Sequence, residues 1–318
     1  MLGEQHGMSD ARRHHFVSQF YLRNFLGAGA PPLLYVIDKP RQADFATSTR
    51  NVAQERDFHR VDLAGVSPNT IEEALSSLEG EVATSLRAIL ARRAVGRDNH
   101  GQTLLYYMAL TLVKSPAMRS KIDDFTNQIM TMIGHHDAAN PVVFGHKVGL
   151  TIEEGVMERD TDVEGLRQAV LSNDYAISVA REGHLQLEFE NAHEILKYFL
   201  GRTWLFVEAV EGQFVTCDRP VILTRDGEGL LGLADPAVQI LFPLSPTVAI
   251  LGARDFVESV VSADRTAVAE YNAKIAWNAH RQIYARDEQF EYRASDGQVR
   301  PGRAIMTDLA FVVQDDDV

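Results

Sequence analysis

The sequence predicts an α+β fold, in which a mixed or antiparallel sheet built from N-terminal and C-terminal segments surrounds a central helical block. Three observations predict it. Apolar residues at steps of three and four mark the middle of the chain, as in Ile71, Leu75, Leu78, Val82, Leu86 and Ile89. Runs rich in β-branched and aromatic residues gather at the ends, as in residues 33–37 (LLYVI) and 203–210 (TWLFVEAV). The two patterns are segregated rather than alternating, which argues against a parallel α/β sheet.

Residues 1–13 are expected to be flexible. From His14 the sequence becomes dense (HHFVSQFYLRNFLG). Ser18 can cap a short helix over 19–25, Val17 and Leu22 stand at the positions of a hydrophobic staple, and Gly27 is a natural stop. His14 and His15 then lie on an extended approach to that helix, where successive side chains point opposite ways. Residues 33–37 read as a strand between two proline-bearing boundaries, and 41–60 can carry a second one.

The clearest helix begins near Pro68 and runs to about Arg92, with Asn69 and Glu72, or Thr70 and Glu73, at capping-box spacing. Residues 103–114 are apolar nearly all round, which predicts a core helix that Pro116 interrupts. A third helix is expected over 117–133 with Gly134 as its stop, a loop over 135–150, and helix again over 151–172 and 192–200. After Gly201 the period changes. Residues 203–210 read as a strand that turns at Glu211-Gly212 into 213–217. Further strands are expected at 221–224, 240–242 and 248–251. Ser262 is the expected cap of a last helix reaching about Arg281, with short strands at 282–285 and 310–313 and a solvated acidic tail at 314–318. The simplest organisation is one α+β domain over 14–313, with a helical insertion at about 67–200 and the N-terminal strand paired into the C-terminal sheet.

Composition narrows the function classes. A net charge of −13 disfavours nucleic acid, since only Arg12-Arg13 offers a basic cluster near a motif. A single cysteine, Cys217, allows no intrachain disulfide. The opening residues lack an apolar stretch of signal length. The most apolar run, 104–113, is about half of what a bilayer requires. A cytoplasmic location without membrane association is therefore expected. No Walker lysine motif, GxGxxG after a strand, GxSxG elbow or HExxH is present, which argues against a P-loop nucleotidase, a Rossmann dehydrogenase, an α/β-hydrolase and a zincin.

The run His14-His15-Phe16-Val17-Ser18-Gln19-Phe20-Tyr21-Leu22-Arg23-Asn24-Phe25 resembles the opening signature of the domain-of-unknown-function family numbered 4238, roughly His-His-Tyr-Val-Pro-Gln-Phe-Tyr-Leu-Arg-Asn-Phe. Later landmarks follow in order: residues 35–39, 51–58, Ile71-Glu72, 78–80, Thr216-Cys217-Asp218-Arg219-Pro220-Val221, 242–246 and Asn272. Ser18 stands where that family has proline, Cys217 where it has serine and Arg219 where it has asparagine. The resemblance implies a shared fold and site location. It supplies no reaction.

The residues best suited to chemistry are His14 and His15, which can ligate a metal or move a proton, and Asp218, a carboxylate on a strand end before Arg219-Pro220 that can orient a histidine or share a metal. Gln19 and Arg23 share a helix face, and with Asn24 they can hold an anionic or polar group. The expectation is a hydrolase acting on a phosphoester or other anionic substrate, with His14 or His15 as base or ligand, Asp218 beside it, and a divalent metal as a candidate cofactor. A nuclease would be a special case that the net charge disfavours. The alternative is a non-catalytic interaction or regulatory protein whose His-rich signature is structural, its aromatic residues locking the N-terminus onto the core. His135-His136-Asp137 reads as part of the 135–150 loop, and Cys217 as a small buried hydrophobe.

Overall fold

The structure, a computed structural model, describes residues 13–227, 229–308 and 311. The chain order is β1 (Arg13–His15), α1 (Gln19–Leu22) passing into a 3-10 turn at Arg23–Phe25, β2 (Leu34–Asp38), β3 (Ala43–Thr47) and β4 (Gln54–Arg56). Six helices follow: α2 (Thr70–Arg92), α3 (Asn99–Val113), α4 (Pro116–Ala138), α5 (Pro141–Glu153), α6 (Val163–Ser172) and α7 (Arg181–Leu200). Then come β5 (Thr203–Ala209), β6 (Thr216–Cys217), β7 (Ile222–Thr224), β8 (Gln239–Ser245), β9 (Val248–Ala253), β10 (Ser259–Ala263), α8 (Arg265–Asn278), β11 (Gln282–Ala285), β12 (Glu291–Arg293) and β13 (Val299–Pro301). The fold is α+β.

The chain ends meet in a four-stranded antiparallel sheet of order β3-β2-β11-β6. All five residues of β2 are buried, which explains why it reads as a continuous apolar run rather than an alternating one. Its register places Ile37 opposite Ile283 and Val36 opposite Tyr284. A five-stranded mixed sheet, β10-β5-β9-β8-β7, stands beside it in sequence. Only the β10–β5 pair is parallel, and the β8–β9 hairpin carries an irregularity between Pro243 and Ser245.

The N-terminal signature docks on this framework. Val17, Tyr21, Leu22 and Phe25 join Leu104, Met108, Phe242 and Tyr284 in one buried cluster. The Tyr21 ring stacks on Phe242, with centroids 5.0 Å apart. Its hydroxyl donates to the Pro243 carbonyl at 2.7 Å and so accepts from Thr216 Oγ1, also at 2.7 Å. A second cluster under α8 gathers Ile37, Cys217, Val268, Ile275, Ile283, Phe290 and Tyr292. Lys39 ties α8 to β2: its Nζ donates to the Ala279 carbonyl at 2.6 Å, where a helix C-terminus favours a cation.

Two compact units are distinguished: Met1–Ser115 with Leu185–Val318, and Pro116–His184. The second holds α4, α5 and α6 around a small core of Ala138, Phe144 and Val148. The helical run spans Thr70 to Leu200, whereas the boundaries of the smaller unit fall inside it.

Several local expectations are corrected. Gly134 does not stop α4, so His135, His136 and Asp137 lie in its last turn. The expected 135–150 loop is mostly α5, because Asn140 accepts from the Val142 and Val143 amides and Pro141 supplies a preset first turn. That stretch was legible as a cap followed by proline. Helix over 151–172 is broken between Glu153 and Val163. Asp264, not Ser262, caps α8 by accepting from the Ala267 amide, and Ser262 belongs to β10. The turn at Glu211-Gly212 passes the chain from one sheet to the other, since β5 pairs with β9 and β10 while β6 pairs with β11. Residues 1–12 and 312–318 lie outside the described residues, and of 310–313 only Phe311 is described.

The Asn140 cap gives a direct test within the smaller unit. Asn140→Ala is expected to cost about 1 kcal/mol of local stability. Amide exchange at Val142 and Val143 should accelerate, and unchanged exchange there would refute the cap.

Candidate functional site

β1 is an extended three-residue strand paired antiparallel with β4, with His14 opposite Glu55 and His15 opposite Gln54. The alternation of a strand therefore sends its two histidines to different places. His14 is buried, and His15 is half-buried on the side of Gln19 and Thr49.

His14 meets His59. The rings stack almost parallel, 7° apart with centroids at 5.5 Å, and His14 Nδ1 accepts the His59 backbone N–H at 2.8 Å. An Nδ1 that accepts carries no proton, so the neutral His14 ring holds its hydrogen on Nε2. His59 is the better-defined group. It is only 1% exposed, and its Nδ1 lies 2.8 Å from Glu72 Oε2. Burial, the largest cause, and the charge of Lys114 push the His59 pKa down to about 3, although Glu72 opposes them. The ring is therefore neutral near pH 7 and its Nδ1–H donates to the carboxylate. That leaves Nε2 as a bare lone pair, buried and without a hydrogen-bond partner.

Glu72 stands in the first turn of α2, where unpaired backbone N–H groups favour a carboxylate. Burial works against its ionisation, but the His59 hydrogen bond and the nearby His14 and Lys114 outweigh it, so its pKa is lowered. Its side chain is 36% exposed and forms the solvent side of the group. One donor atom each from His14, His59 and Glu72 lie within 4.8 Å of one another.

Lys114 closes α3 as its C-terminal cap and is buried. Its charge acts on His59, Glu72, His15 and Glu79. Burial, and to a smaller degree the Lys114 charge, lower the His15 pKa, and the carbonyls of Thr49 and Arg50 with Glu72 resist that shift. Glu79 lies two turns along α2 from Glu72. Burial raises its pKa against a hydrogen bond from Ser18 and the charge of Lys114. Ser18, the expected cap of α1, makes no cap hydrogen bond; its hydroxyl serves Glu79 instead.

Asp218 has other partners. Its Oδ1 accepts the His280 amide at 3.0 Å, and its Oδ2 accepts the amides of Arg281 at 2.7 Å and Gln282 at 3.0 Å. Burial pushes its carboxyl pKa up against those three donors. It locks the turn between α8 and β11. The start of the chain and the 216–220 segment do come together, but through Tyr21 and Thr216. Asp218 is not a member of the His14, His59 and Glu72 group.

Of the other expected contacts, Gln19 bridges His15 and Thr49 at 3.5 and 3.4 Å, Arg23 is exposed, and the Asn24 amide nitrogen is buried without a partner. Cys217 is buried and burial raises its thiol pKa, which removes it as a nucleophile at neutral pH. His59, Glu72 and Lys114 were not singled out by sequence reasoning. Glu72 stands both at capping-box spacing and in the Ile71-Glu72 landmark, and His59 directly follows the 51–58 landmark. Neither signal points to chemistry at these positions.

A model of the family described as "Protein of unknown function (DUF4238)" matches residues 13–289. No curated protein and no solved structure matches the chain.

Proposed function

The chain belongs to the DUF4238 family, and from that premise we propose that it is a hydrolase of anionic esters, phosphoesters foremost, centred on His14, His59, Glu72 and Lys114. The observation that carries this reading is the buried His59 Nε2 lone pair, left without a partner while Glu72 fixes the proton on Nδ1. A hydrogen-bonded carboxylate behind an imidazole holds one tautomer and aims the other nitrogen at a reacting group. In the metal-free group the His59 lone pair is the acceptor that would orient a water molecule. Lys114 supplies a buried positive charge for an anionic substrate and for the charge that develops on it. His14 Nε2–H is a neutral donor beside them. The reading places the protein in the cytoplasm. Among the described residues no helix is long and apolar enough to cross a membrane.

The non-catalytic reading also has an observation in its favour. Tyr21 and Phe25 of the signature are buried structural groups, and Asp218 is committed to backbone amides. One assay separates the two. The purified protein is offered p-nitrophenyl phosphate, bis(p-nitrophenyl) phosphate and the neutral p-nitrophenyl acetate, with and without zinc. The expected result is turnover of a phosphoester in preference to the acetate. Lys114→Met should reduce kcat/KM about a hundredfold. Folded wild-type protein that turns over none of these esters, or a Lys114→Met variant as active as wild type, would sink the hydrolase and leave the interaction protein.

A further inference from the structure

We propose that His14, His59 and Glu72 form a binding site for one first-row divalent transition-metal ion of the zinc class, a claim about the cofactor of the proposed hydrolytic site that rests on that reading only for its catalytic use. Two imidazoles and a carboxylate are the donor set of three-ligand catalytic zinc sites, which keep a fourth position for water. Imidazole donors disfavour magnesium and calcium, which take oxygen ligands.

The geometry supports this beyond residue type. The three residues come from three separate places in the chain: β1, the loop after β4, and the first turn of α2. Two of them are fully buried, so the group is not a surface cluster of acids. His59 would ligate through Nδ1, the nitrogen that faces Glu72 Oε2 at 2.8 Å, so the ion would take the place of the hydrogen they now share and that hydrogen would move to Nε2. With an ion held there, the metal and not His59 would activate water.

The spacing says what must change on binding. Bonds of about 2.0–2.2 Å to a tetrahedral ion place ligand atoms roughly 3.3–3.5 Å apart. The donors lie within 4.8 Å, so the group must contract by up to about 1.4 Å at its widest. His14 must also release the His59 amide, because Nδ1 now accepts it and Nε2 holds the proton. Ligation through either nitrogen breaks that bond, and binding through Nε2 moves the ring hydrogen to Nδ1. Lys114 is the unfavourable neighbour: its charge, felt at both His59 and Glu72, opposes a cation. An anionic substrate would offset that charge, coupling metal and substrate binding.

The test uses the full chain, stripped with chelator and titrated with zinc by calorimetry and with cobalt by visible absorption. The expected result is one ion per chain and a cobalt d–d band of tetrahedral intensity. Glu72→Gln, at a partly exposed position, should weaken zinc binding about tenfold to a hundredfold. His59→Ala should do the same, with circular dichroism to confirm that it folds. His136→Ala, in the exposed last turn of α4, is the control for adventitious imidazole binding and should change nothing. Absence of stoichiometric binding, or Glu72→Gln and His59→Ala binding as wild type does, overturns the site. Zinc bound at these residues without ester turnover supports the site and removes the hydrolase. Turnover without any metal supports the hydrolase and removes the ion's catalytic use, while the titration alone decides the site.

Discussion

Asp218→Ala is expected to lower the melting temperature by about 10–20 °C, through loss of structure and not loss of chemistry. The carboxylate receives the amides of His280, Arg281 and Gln282, while its own backbone N–H donates to the Gln282 carbonyl at 3.0 Å. That arrangement joins the end of α8, the start of β11 and the end of β6 at one point. Removing the side chain leaves three amides facing a buried space. At about 1–3 kcal/mol for each unsatisfied buried group, with some relaxation, the cost is about 4–6 kcal/mol. A chain of this size shifts by roughly 2–4 °C for each kcal/mol. Asp218→Asn should lose about half as much, since one oxygen remains and the amide NH2 opposes the N–H groups that Oδ2 now accepts. Thermal unfolding gives the size of the effect, and hydrogen exchange at 280–282 gives its place. A variant with wild-type melting temperature and lost activity would return Asp218 to the site.

The second large effect is expected at Asn272. This fully buried amide on α8 accepts the Val215 N–H at 3.0 Å and donates to the carbonyls of Gln213 and Glu291, both at 2.8 Å. Two segments that share no ladder with one another, residues 213–215 and β12, are thereby pinned to one helix. Asn272→Leu keeps the volume and strands one donor and two acceptors, for about 3–5 kcal/mol. Asn272→Asp should be worse. A carboxylate can still accept from Val215, but it faces two carbonyl oxygens with nothing to donate, and it buries a charge. Urea unfolding should show a lower midpoint with an unchanged slope for Asn272→Leu. A midpoint within error of wild type would show that water replaces the lost partners.

These two positions show how differently the sequence speaks about fold and about site. Asn272 and Asp218 both stood out as polar landmarks, and both hold buried backbone groups that no helix or strand satisfies. Their identity as polar residues was legible, but which backbone groups they serve was not, because those groups lie 19–64 residues away along the chain. Ser18 and Glu72 show the opposite difficulty. Each stood at the spacing of a local cap, and each side chain goes elsewhere: Ser18 to Glu79, Glu72 to His59. Local spacing offers a partner to every short polar side chain near a helix start, and a tertiary partner of lower energy overrides it.

What the sequence determined by itself was everything set by periodicity and punctuation: the helical middle, the strands at both ends, and the burial of β2 that its apolar run implies; its pairing into the C-terminal sheet was the simplest organisation, and the structure supplies the partner β11. The staple of Val17 with Leu22 belongs there too, both being buried as their spacing requires. Only the tertiary structure decided that His14 turns to His59 and Glu72, that Lys114 charges their surroundings, and that Asp218 holds a turn. The physical reason is range. Hydrophobic burial follows from a pattern repeated over many residues, whereas a polar cluster is made by single side chains brought within hydrogen-bond distance from remote points, and a single residue carries no period to read.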